Sequence, residues 1–248
     1  MDNFEIFTQE GYAFLARWAH FLAGITWIGI LYYFNFVQVP SVKEMGDAGR
    51  SDLTRNLVPR ALWWFRWGAL LTILSGITIL AFNEQLDGDY FTTAPGISIA
   101  TGAILGTVMF GNVWLVIWPA QKLVIASAET IAGGGEADPA AAPAGRRALL
   151  ASRANTLFSI PLLFFMAATS HLVASSHFRF DIANDRMAAY WIVFVAAAGA
   201  IELAALGRFG GYGPGWIKAP FETRRDVIVS GFVLLVILYV VFELAFQA

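Results

Sequence analysis

The chain alternates between long apolar runs and short segments that hold most of its charge. Six runs approach the roughly 20 residues that a helix needs to cross hydrocarbon. They are Tyr12–Phe36, Leu62–Phe82, Gly96–Trp118, Asn155–Ala174, Ala188–Leu206 and Val227–Phe246. The pattern predicts an all-α fold: a polytopic transmembrane helical bundle that forms a single integral membrane domain over residues 1–248. Two short apolar pieces, Phe4–Phe7 and Val39–Met45, are expected to lie on the membrane surface. Within the first run, Arg17, His20, Gly24, Trp27 and Leu31 recur at three- and four-residue steps and so share one helix face. Ionisable side chains are costly in hydrocarbon, so this face is expected to be the one around which the other helices pack.

The loops predict an orientation. Lys43, Arg50, Arg55 and Arg60 lie between the first two runs, and Lys122, Arg146, Arg147 and Arg153 between the third and fourth. Arg208, Lys218, Arg224 and Arg225 lie between the last two. The other side carries Arg179 and Arg186 beside Glu84, Asp87 and Asp89. Basic loops stay in the cytoplasm, so both termini are expected in the periplasm of a bacterial inner membrane. Trp63, Trp64 and Trp67 then mark the cytoplasmic interface. The Gly/Ala/Pro-rich stretch over residues 127–147 is expected to be a flexible cytoplasmic linker, because it has too little apolar surface to bury. GRFGGYGPGW after the fifth run is a glycine-rich turn that lacks the lysine and the strand–helix setting of a phosphate loop. Gly102 and Gly106 suit close helix packing, and Pro161 predicts a bend in the fourth helix.

Composition narrows the partners. The chain is 58% hydrophobic and 14% charged, far from the charged quarter of a soluble domain, so its first partner is the lipid bilayer. A net charge of -2 gives no reason to expect nucleic acid. With no cysteine, disulfides, thiolate metal sites and thioether-linked haem are excluded. The acidic start MDNFEIFTQE lacks the basic region of a signal peptide, so the first helix is expected to direct insertion.

Candidate chemistry gathers at the expected periplasmic end. His20 falls roughly 12 Å below that surface at 1.5 Å per residue, and His171 reaches a similar depth from the end of the fourth run. Two buried imidazoles on different helices suit the axial ligation of a b-type haem iron, or another metal. Arg17, one turn above His20, suits a propionate or another anion. Trp27 would wall the site from below. The alternative is that both histidines merely hydrogen-bond backbone or hydroxyl groups such as Thr169 and Ser170. His177 reads as a solvated loop residue. Asn35, Asn112 and Asn155 read as interhelical amide bonds, and Glu202 is expected to pair with Arg208 or another loop arginine.

Several strings resemble one family. WAHFLAGITWIGILYYFNF, LWWFRWGALLTILSG, FGNVWLVIWPAQK and SRANTLFSIPLLFFMAATSH, in this order over residues 12–175, are similar to the membrane domain of the PuuD-type urate hydroxylases (urate oxidases). The opening His…Trp-x-Gly pattern is also similar to HemJ-type and CopD-like membrane proteins, where a histidine in that helix goes with haem. The resemblance implies a membrane redox protein that oxidises urate or a related small molecule. His20 and His171 match positions where the family keeps histidines. The family carries a periplasmic cytochrome c domain after the membrane part, whereas this chain has no CxxCH segment. Electrons would then pass to a separate cytochrome c or to quinone. The chain departs from the family at Ala154 and over Glu202–Phe209, where the family has histidine and polar positions. A second reading stays open: a non-catalytic accessory subunit of a larger respiratory or photosynthetic membrane complex.

Overall fold

A computed structural model describes residues 4–174, 177–179 and 182–247. Six helices are long and apolar enough to cross a membrane: Gln9–Glu44, Asp47–Phe82, Ala94–Ala132, Ala141–His171, Asn184–Ala205 and Arg224–Phe246. The protein is an all-α, multi-pass bundle. Among the described residues, β pairing is confined to one bridge, Phe178 with Gln247.

The hub is the fourth span, not the first. In its apolar window 72% of residues are buried, against 17% for the first span. Every residue from Leu150 to Ser159 is buried. Ala148, Ala151, Ala154, Ser152 and Ser159 are small enough to let several helices approach at once, the usual device where no hydrophobic force drives helices together in lipid. The first span packs along the second, and its Phe14, Trp18, Phe21 and Ile25 face outward. The periodic face is therefore real but peripheral. Along it exposure gives way to burial, from Arg17 at the surface, through half-buried His20 and Gly24, to buried Trp27 and Leu31.

Three helices run longer than the hydrophobic pattern predicts, for one reason. The π-helical turns at Tyr33–Gln38, Leu53–Leu57 and Asn112–Ile117 each end just before an X-Pro step, at Pro40, Pro59 and Pro119. Proline in a helix lacks an N–H and collides with the carbonyl four residues back. Widening the turn to i→i+5 bonding relieves the collision without ending the helix. Hence the first span continues from the expected Phe36 to Glu44, carrying Val39–Glu44 as helix. The second starts at Asp47 instead of Leu62, and the third runs on past Trp118 to Ala132.

The expected linker over residues 127–147 is also mostly helical. One helix lasts to Ala132 and the next begins at Ala141, leaving eight residues between them. Alanine is the strongest helix former, which extends both ends inward. The turn is pinned where the Asp138 N–H donates to Ser127 Oγ at 3.0 Å and the Ala140 N–H to Asp138 Oδ1 at 2.8 Å.

The fourth and sixth spans meet at a matched pair of residues. Pro161 cannot donate to the Leu157 carbonyl. Gly231 of the sixth span lies against that carbonyl: a Cβ built there would sit 2.9 Å from Leu157 O and 2.5 Å from Ile160 Cδ1. The proline exposes a backbone oxygen, and the glycine lets the neighbouring helix close over it.

The loop between the last two spans is tied down by buried cations. Lys218 Nζ donates to the carbonyls of Ala204 at 2.6 Å and Phe209 at 2.7 Å. Arg153 donates to the carbonyls of Phe221 and Glu222, and Arg146 pairs with Glu222 at 2.6 Å. Burial, and then the nearby Arg146 charge, pull the Lys218 ammonium below the ordinary lysine range.

Candidate functional site

Two polar regions lie inside the bundle, one toward each end. The histidine end holds His20, whose ring is set by the second span. Nδ1 of His20 lies 3.1 Å from Ser75 Oγ. Ser75 has one hydroxyl hydrogen, and its Oγ sits 2.6 Å from the Leu71 carbonyl, which can only accept. With the Ser75 hydrogen directed to Leu71, a neutral His20 ring would donate from Nδ1 to Ser75 Oγ and keep Nε2 as its acceptor atom. This is the arrangement in which an outer hydrogen bond sets the tautomer of a metal-binding imidazole. Gly76 makes room for the ring: a Cβ there would stand 3.3 Å from His20 Cε1.

One hydrogen bond relates the first and fourth spans along their lengths. Tyr32 Oη and Ser159 Oγ are hydrogen-bonded at 2.9 Å across the two helices. His20 precedes Tyr32 by 12 residues and His171 follows Ser159 by 12, about 18 Å along each axis. Their surroundings differ, however. His20 is half-buried against Ser75 and Gly76, whereas His171 is exposed at the end of its helix. Arg17 is exposed one turn before His20. Trp27 is 2% exposed, packed in the core two turns further in, with its Nε1 unpaired. His177 lies exposed beyond the fourth span, as a loop residue. Among the described residues there is no cluster of three or more His, Cys, Asp or Glu side chains able to hold a metal ion.

The other end carries a denser network than the sequence pattern suggests. Asn112 Nδ2 donates to Asn155 Oδ1 at 2.9 Å and to Glu202 Oε2 at 3.0 Å. Asn155 Nδ2 donates in turn to the Met109 carbonyl at 2.9 Å. Three spans are thereby joined through side-chain amides and one carboxylate. Glu202 finds its partner in Asn112 rather than in Arg208, whose side chain is exposed. The reason is geometric: Asn112 opens the π turn of the third span, which faces the fourth and fifth. Nearby, Arg66 stacks its guanidinium 3.6 Å from the centre of the Trp118 ring. This contact gives the charge a partner face that hydrocarbon would not.

A second amide, Asn35, sits in the π turn of the first span. Its Nδ2 donates to the Leu31 carbonyl at 3.0 Å and to Ser152 Oγ at 2.8 Å. Beside it is a cavity of about 220 Å³ between the first four spans. The sequence marked Asn35 as interhelical glue and passed over Gln38 and Gln121, which also line this space. The available signal is an amide two residues from each proline step, Gln38 before Pro40 and Gln121 after Pro119.

The urate oxidase N-terminal family model matches residues 89–203. That part holds the third and fourth spans and most of the fifth, and with them Asn112, Asn155, His171 and Glu202. His20, Arg17 and Trp27 lie outside it. The match agrees with the resemblance to the PuuD-type membrane urate oxidases. The comparisons with curated proteins and with solved structures return no match.

Proposed function

We propose that this protein is a PuuD-like membrane redox protein of the bacterial inner membrane, with urate or a related purine as its substrate. The observation that carries the redox reading is the seating of the His20 ring, with Nδ1 3.1 Å from Ser75 Oγ and Gly76 leaving room beside it. The match over residues 89–203 supports the substrate class. His20 fits as a ligand of haem b on the chemistry of its imidazole, and His171, at the end of the fourth span, would be the second ligand. Arg17, exposed one turn away, suits a propionate. A haem held there would supply one-electron chemistry at a potential set by its axial ligands. Ser75 would fix the tautomer and orientation of His20. Gly76 would keep the ring from being displaced, and Trp27 would close the packing beneath. Electrons would leave to a separate cytochrome c or quinone.

The test is a visible spectrum of the detergent-purified protein. The expected result is a reducible Soret band that is lost in His20→Ala and weakened or shifted in His171→Ala. A colourless, folded wild-type protein purified from haem-replete cells would overturn the haem assignment. The exposure of His171 favours a second reading, in which the chain is an accessory subunit of a larger membrane complex and that end is covered by a neighbour. Co-purification of a colourless protein with such a complex would support it.

A further inference from the structure

We infer that the cavity beside Asn35 is a binding site for a small uncharged molecule that presents adjacent N–H groups, of the amide, ureide or lactam class. This inference does not rest on the haem reading. The cavity holds about 220 Å³, space for about seven waters or one small heterocycle. Val58 and Ala148 supply apolar walls, and Asn35, Gln38, Gln121 and Ser152 supply the polar atoms.

The polar atoms are unequally satisfied. Asn35 is 4% exposed, and both its Nδ2 hydrogens are committed, to the Leu31 carbonyl and to Ser152 Oγ. Turning the amide over would set its oxygen against the Leu31 carbonyl, so its orientation is fixed. Oδ1 of Asn35 is left buried with no donor, and so is Oε1 of Gln38 three residues later. Asn35 and Gln38 both line the cavity, so two bare acceptors belong to the walls of one space. A buried acceptor without a donor is costly, and is expected to be met by a ligand or an ordered water.

The acceptors define the ligand. Two carbonyl oxygens call for N–H or O–H groups. No charged side chain lines the cavity, so neither an anion nor a cation would be compensated there. A planar ring with two lactam or ureide N–H groups satisfies both acceptors and the apolar walls together.

The experiment is isothermal titration of the full chain in nanodiscs with hydantoin, a neutral cyclic ureide, and with hydantoate, its ring-opened carboxylate. Saturable one-to-one binding of hydantoin is expected, with hydantoate weaker. Gln38→Leu removes one acceptor and is expected to weaken hydantoin about tenfold, the scale of one hydrogen bond. Ala148→Phe fills the cavity and is expected to abolish binding. Circular dichroism checks that both variants fold, and if either does not, Gln121→Leu and Val58→Phe take their places with the same expectations. No saturable binding by wild type, hydantoate binding as tightly as hydantoin, or equal affinity in folded variants would each overturn the inference. The cavity would then be a hydrated packing gap. A wild-type protein that binds hydantoin but shows no Soret band would separate this site from the haem reading.

Discussion

Replacing Asn112 by leucine is a close change in volume that removes a single donor group. That group bridges two acceptors on two other helices, Asn155 Oδ1 at 2.9 Å and Glu202 Oε2 at 3.0 Å. Interhelical hydrogen bonds in membrane proteins are worth about 0.6 kcal/mol on average and up to about 1.7. Two of them give about 1–3 kcal/mol. The loss also leaves the Glu202 carboxylate without its donor inside the bundle, and hydrogen bonds to charged groups run to about 1.5–3 kcal/mol. Asn112→Leu is therefore expected to destabilise the fold by about 2–4 kcal/mol. The assay is reversible unfolding from mixed micelles by added SDS, followed by far-ultraviolet circular dichroism. The decisive arm is the double-mutant cycle with Glu202→Leu. If the two residues act through one bond, Asn112→Leu should cost at least about 1 kcal/mol less once Glu202 is gone. Effects that add to within about 0.3–0.5 kcal/mol would refute the network, and would mean that Glu202 takes its stabilisation from water or lipid headgroups.

Other outcomes follow from the same geometry. Gly231→Ala is expected to cost about 1–3 kcal/mol, because the new methyl meets the Leu157 carbonyl and Ile160. Gly199→Ala, where nothing stands within 4 Å, is expected to be neutral or to stabilise by up to about 1 kcal/mol. Thermal unfolding in detergent compares the two, and equal effects would refute the close approach of the fourth and sixth spans. Lys218→Met is expected to free the loop after the fifth span, which limited proteolysis at the glycine-rich turn would detect. Because burial lowers the folded-state pKa of Lys218, the unfolded chain binds more protons there. Stability should thus rise with pH between the depressed folded value and the ordinary lysine value. That slope should vanish in Lys218→Met, measured by SDS titration across the alkaline range. Ser75→Ala should leave the fold intact and, if haem is ligated by His20, shift its midpoint potential by loosening the imidazole.

The candidate site was partly legible in the sequence. His20 is marked by its cost in hydrocarbon, and the structure sets it half-buried against Ser75 while His171 stands exposed at its helix end. The direction in which each ring points was not legible. His20 turns to Ser75, 55 residues away, and periodicity within one helix cannot show which neighbour a face meets. Glu202 was noticed and given the wrong partner for the same reason. Arg208 is close in sequence, whereas Asn112 is close only once the third and fifth spans are placed side by side. Gln38 and Gln121 were missed because a polar residue at a helix end reads as ordinary interface.

What the sequence determined by itself is the set of things that depend on one helix at a time. Apolar run length dictates six crossings, the spacing within a run dictates a face, and missing cysteines dictate the absence of thiolate chemistry. What only the tertiary structure decided is which helix is central and which amides meet. The fourth span takes the middle because its small side chains admit several neighbours, not because it is the most apolar. Prolines that read as helix ends became π turns, because a wider turn costs less than exposing free backbone polar groups to a membrane interior. Those turns carry Asn35 and Asn112 into the bundle. Such outcomes depend on summed contacts between segments far apart in the chain, and no single segment contains them.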